Sequence, residues 1–246
     1  GTRVYPLAFS LSPSLPVYAR STPTMAVKDR DVECVEKVWT TPISLRGSFL
    51  GTRTKAPSIR AEGIVHVKES VISGEIICSG SMTSWYSEAQ DVQTGSGVSL
   101  IGCKVADVVA RTSISCKNSM ARSLTAHTLI VEESTISRDV TAKDSMTIDR
   151  STIQGCIRYG GAHLVLRDST VGSIVMQKNR VGSASSTSTL PGSVVCLHDC
   201  RVLGAIVFES GRGKVISQGS AMDFISLNGK TWVQKSVQSP GFFVAT

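Results

Sequence analysis

Along Leu129 to Ser145, apolar or small side chains fall in pairs two positions apart: Leu129/Val131, Ser134/Ile136 and Val140/Ala142. The next segment repeats this with Met146/Ile148, Ser151/Ile153 and Ile157/Tyr159, and the one after with Leu164/Leu166, Ser169/Val171 and Ile174/Met176. Spacing two puts both members of a pair on one face of a short strand. Five or six residues between pair starts leave room for one corner after each strand. The helical recurrence at i, i+3, i+4 and i+7 does not run through these segments.

The same ruler extends both ways. It reads Val65/Val67, Ser70/Ile72, Ile76/Cys78; then Val98/Leu100, Cys103/Val105, Val108/Ala110; then Ile114/Cys116, Ser119/Ala121, Leu124/Ala126. Towards the other end it reads Val195/Leu197, Cys200/Val202, Ile206/Phe208 and Val215/Ser217, Ser220/Met222, Ile225/Leu227. An imperfect first turn reads Ile43/Leu45, Ser48/Leu50, Ile59/Ala61. Three short strands per turn predict an all-β chain, a parallel β-helix of triangular cross-section with about nine short rungs and two loop insertions. Parallel crossovers favour right-handed coiling. No rung is stable alone, because each buries its backbone against its neighbours.

The first inward residue of each second strand is small: Ser48, Ser70, Cys103, Ser119, Ser134, Ser151, Ser169, Cys200 and Ser220. A narrow corner demands this, and a hydroxyl there can bond neighbouring backbone. The predicted organisation is an extended arm and N-terminal cap over 1–42, the β-helix over 43–233, and a tail or cap over 234–246. The insertions fall at 79–97, which carries Trp85 and Tyr86, and at 177–192, which carries a Ser/Thr run. Trp85 and Tyr86 are candidates for stacking on a sugar or a partner, or for packing their loop onto the coil. Phe242 and Phe243 are candidates for capping the last rung or for assembly, since a bare β-helix end is a row of unpaired strand groups.

Charge narrows the partners. The chain carries 26 Lys+Arg and 19 Asp+Glu, a formal charge of +7. That suits an anionic or membrane surface, but the basic residues are scattered and form no patch of the kind nucleic acid requires. No apolar run reaches the roughly 20 residues of a transmembrane helix. The start at Gly1-Thr2-Arg3, without Met, reads as a trimmed terminus, so a signal peptide, an anchor or a tail is expected to have preceded it. The location is left between a membrane-associated cytoplasmic face and export to the cell envelope.

The seven cysteines include no CxxC pair, and Cys196, His198 and Cys200 supply at most three ligands. No metal, cofactor or catalytic residue is predicted. Cys78, Cys103, Cys116 and Cys200 point inward without stacking in adjacent rungs, so free thiols are expected. Outward residues stack in two columns: Lys117, Glu132, Asp149, Arg167, His198, and Asn118, Glu133, Arg150, Asp168, Asp199. Their signs alternate as in a solvated ladder of ion pairs. One competing reading is an active site of paired carboxylates, or a Ca²⁺ site, at Glu132, Glu133, Asp149 and Asp168; the other is a carbohydrate site built from Glu132, Asp149, Arg150, Arg167 and Asp168.

Turns of 15 to 18 residues, with corners such as Ile72-Ser73-Gly74-Glu75-Ile76, Ile153-Gln154-Gly155-Cys156-Ile157 and Val202-Leu203-Gly204-Ala205-Ile206, make the stretch from Val65 to Leu227 resemble the bactofilins. These are bacterial cytoskeletal β-helix proteins. The resemblance implies a non-enzymatic scaffold that associates through its rod ends, as a homo-oligomer, near a membrane. The alternative is a carbohydrate-binding or carbohydrate-cleaving β-helix.

Overall fold

The computed structural model describes residues 26–28, 30–178, 193–210, 213–227, 230–233 and 241–245, with side chains over 30–178, 193–210 and 213–221. These residues form strands and corners and no helix. The strands stack in parallel as a β-solenoid of about ten turns. Three faces follow one another in each turn. On the first, Val65, Met82, Val98, Ile114, Leu129 and Met146 stand in register, each on the next. On the second, Lys55–Ala56, Val71–Ile72 and Glu88–Ala89 form a small parallel sheet of their own. On the third, Ile43, Ile59, Ile76, Val92 and Val108 line up.

From Val65 to Ser217 the paired positions read from the sequence are the core. Val67, Leu100, Leu124, Leu129, Val131, Ile148, Leu166 and Val202 are completely buried. Each such side chain contributes roughly 1.5–3 kcal/mol when removed from water. A two-residue strand cannot close a core by itself, so stacking of turns supplies the stability.

Three expectations need correction. Residues 79–97 are not an insertion. Met82–Trp85, Glu88–Ala89 and Val92–Thr94 pair with the turns on both sides. The hydrophobic ruler passes over this turn because Ser84, Ser87 and Thr94 occupy inward positions. The first turn is also shifted. Phe49 and Gly51 stack on Val65 and Val67, and Lys55–Ala56 on Val71–Ile72, so the second strand begins inward at Thr54 and not at Ser48. Leu50 faces outward. Phe49 explains the shift: its ring lies where a side chain on Gly51 would stand, 2.6 Å from an ideal Cβ, so one aromatic does the work of an inward pair.

Finally, the predicted cap region is itself coil. Ala26–Lys28 pairs with Ile43–Leu45, and Val32–Val35 with Phe49–Thr52, so Ile43 and Leu45 close the preceding turn. Most of the arm, residues 1–25, lies outside the described residues. So does most of the second predicted insertion, 179–192; the coil resumes at Ser193–His198, which stacks on His163–Arg167. At the far end the chain reverses. Lys230–Val233 pairs antiparallel with Phe224–Leu227, and Gly241–Ala245, which contains Phe242 and Phe243, pairs antiparallel with Gly213–Ser217.

Candidate functional site

The corner between the first and second faces is the most regular feature of the surface. Every turn from Glu36 to Gly219 places one residue there in the left-handed region: Glu36, Arg53, Glu69, Tyr86, Gly102, Asn118, Glu133, Arg150, Asp168, Asp199 and Gly219. That conformation costs a side-chain-bearing residue about 1–2 kcal/mol. Hydrogen bonds between turns offset it. The Glu133 N–H donates to the Asp149 carbonyl at 3.0 Å, and the Tyr86 N–H to Ile101 at 2.8 Å.

The small inward residue comes next, and its hydroxyl does two things. Ser134 Oγ donates to the Glu132 carbonyl at 2.7 Å and accepts the Ser119 N–H at 3.1 Å. Ser151 and Ser70 repeat this, Ser151 accepting from Ser134 and Ser70 from Thr54. A column of hydroxyls thus replaces the ladder bonds that the tight corner removes. These serines are structural.

Cysteine occupies the same position twice. The Cys103 N–H still donates to Ser119 Oγ, while its thiol lies 3.2 Å from the Ser84 carbonyl. Burial pushes the Cys78 and Cys116 thiols up to about 11, and also raises that of Cys200. All seven cysteines are free thiols; Cys34, Cys156 and Cys196 are half-buried and the other four buried.

The predicted surface residues fall into place unevenly. Lys117, Glu132, Asp149, Arg167 and His198 do form one column, in register. Lys117 pairs with Glu132 at 3.2 Å, and Arg150 reaches both Glu133 at 2.6 Å and Asp149 at 3.0 Å. Among the described residues, no ion pair joins Asp149 to Arg167 or Arg150 to Asp168. Asp149 and Arg150 are thus joined through their side chains, whereas Arg167, on the next turn, meets them through the backbone, the Arg150 N–H donating to the Arg167 carbonyl at 3.0 Å. Trp85 ends a first-face strand, its ring edge-on to His66 with centroids 4.5 Å apart. Tyr86 is the corner residue of that turn, 67 % exposed, its ring against Gly102. Neither sits in a loop.

The opposite corner holds a charged cluster that hydrophobic periodicity could not flag. Arg122 forms a two-pronged pair with Asp107, with Nε to Oδ1 at 2.8 Å, and also reaches Asp91 at 3.5 Å. Ser123 Oγ donates to Asp107 at 2.6 Å. The Arg122 guanidinium, chiefly through that hydrogen bond, holds the Asp107 carboxyl down to about 2. The spacing of 16 residues from Asp91 to Asp107 was the available signal. A groove of about 450 Å³ crosses the second face over Val71, Glu88, Ala89, Lys104 and Val105. No group of three or more metal-ligating side chains occurs among the described residues.

These features define the class: a three-faced parallel β-solenoid whose repeated polar residues hold the coil together. No family model, curated protein or solved structure matches the chain.

Proposed function

We propose that this chain is a non-enzymatic scaffold that associates with itself through a solenoid end. The observation that carries this reading is the outer edge of the first turn. Val32–Val35 pairs on one side only among the described residues, and Val35 and Val38 beside it are 57 % and 67 % exposed. An unpaired strand edge is a template for another chain. The hydroxyls and most of the stacked charges already have partners within the coil, which agrees with a role in shape and assembly. The bactofilin resemblance adds the expectation of a membrane-adjacent location at the cell envelope. Sedimentation velocity of the full chain across a hundredfold concentration range is the test. A mass that rises with concentration supports self-association, and a constant monomer mass rejects it.

A second reading, glycan binding, draws on the exposed ring of Tyr86 beside Trp85. Aromatic faces of this kind stack on sugars. Loss of binding to a polysaccharide panel on Tyr86→Ala would favour it, and a panel with no binding would remove it.

A further inference from the structure

We infer that two copies of the chain join edge to edge through Val32–Val35, as a closed two-fold pair with Cys34 at its centre. This rests on the self-association reading above and names its partner and register. The two ends of the solenoid differ. At the C-terminal end the last coil strands are covered by the chain's own reversed strands, Lys230–Val233 and Gly241–Ala245. The triangular end is therefore replaced there by strands of opposite direction. At the first turn, the outward-facing backbone of Val32–Val35 has no partner among the described residues. An edge that meets its own copy is used up in that one contact and does not propagate. It can close a dimer, because a two-fold axis brings identical edges together antiparallel.

Hydrogen-bond direction and charge fix the register. The Val32 N–H donates inward to Ser48, and the Glu36 N–H to Thr52. Strand alternation then leaves the N–H and C=O of Glu33 and Val35 facing the open edge. A two-fold axis through Cys34 pairs Glu33 with the partner's Val35 through those groups, and keeps the pairing within Val32–Val35, short of the corner at Glu36. An axis one residue earlier would oppose Glu33 to the partner's Glu33, which like charge disfavours, and one residue later would leave only Val35 facing a strand residue, the rest of the pairing falling past the corner at Glu36. An axis between residues would set the inward face of one coil against the outward face of the other. With the axis at Cys34, the two cysteines form a pair without backbone hydrogen bonds between them, with Cα atoms about 4.5 Å apart. That lies at the short end of disulfide reach.

The experiment uses the full chain. Its mass is measured by light scattering across concentration, and separate samples are oxidised with copper–phenanthroline and mapped by mass spectrometry without reduction. Two thiols lose two electrons and two protons to that oxidant, so a Cys34–Cys34 link reports the register. The expected result is a monomer–dimer equilibrium that stops at the dimer and a link through Cys34. Val35→Asp, placed opposite the partner's Glu33, should weaken the dimer about tenfold, while Val35→Lys at the same exposed position should strengthen it. A shift in the same direction for both variants, or dimers that do not link through Cys34, overturns the register but leaves self-association standing. Filaments overturn the closed pair in the same way. A monomer at every concentration overturns both.

Discussion

Residues 82–94 and 129–142 trace the same turn with different linings. One points Met82, Ser84, Ser87, Ala89, Val92 and Thr94 inward; the other points Leu129, Val131, Ser134, Ile136, Val140 and Ala142. Half of the first set is polar, yet both turns are paired with their neighbours above and below. Both also keep the left-handed corner residue, Tyr86 or Glu133, followed by a serine. The backbone ladder and the corner set the path of the chain, and apolar side chains set how strongly a given turn is held.

The largest expected effect separates those two contributions. Leu129→Ala empties a completely buried site and should cost about 2–5 kcal/mol, read from the midpoint of urea unfolding. Ser84→Ala, at the place that Val131 fills in the other turn, removes no large volume and should cost less than about 1 kcal/mol. Equal losses would mean that the turn at 82–94 carries as much packing as the other. Next comes the corner. Ser134→Ala strands the buried Ser119 N–H and should cost about 1–3 kcal/mol, whereas Ser134→Thr, which keeps the hydroxyl, should recover part of the loss.

A smaller gain is expected at the left-handed position. Glu69 holds φ at 51°, its N–H bonded to the Trp85 carbonyl and its side chain in an exposed 3.8 Å contact with Lys68, so Glu69→Asn, which keeps the backbone bond, should stabilise by about 0.5–1 kcal/mol. The smallest effect is acid dependence at the opposite corner. Arg122 lowers the Asp107 carboxyl to about 2, below its ordinary value. Its contribution is therefore full above about pH 4 and is lost as pH falls towards 2. Both groups are more than a third exposed, so solvent screens the pair and the slope is shallow. Asp107→Asn should flatten thermal stability over that window, matching the parent near pH 2 and falling slightly below it at neutral pH.

The same contrast explains what was legible in the sequence. From Val98 to Met176 the inward pairs and small corner residues announced face, register and core, because period two leaves little freedom where every strand has two apolar residues. The first turn misled, since Phe49 over Gly51 hides one member of a pair and the outward Leu50 mimics it. At 82–94, inward Ser and Thr hid the turn itself. The Lys117–Glu132 and Glu133–Arg150 pairs followed from column spacing alone, whereas Arg122 with Asp91 and Asp107 did not. That cluster depends on three turns meeting at a corner that apolar spacing leaves unmarked. The C-terminal reversal was equally silent, because antiparallel strands share the alternation of parallel ones.

Amide hydrogen exchange, resolved by residue and run at two protein concentrations, examines together the coil that runs without interruption through 82–94 and the open edge at Val32–Val35. Slow exchange is expected through 82–94, comparable with 129–142. Fast exchange is expected at the Glu33 and Val35 amides in dilute solution, slowing as concentration rises, while the Val32 and Glu36 amides stay protected throughout. Exchange at loop rates across 79–97 would contradict the continuous coil, and Glu33 and Val35 amides indifferent to concentration would contradict the open edge.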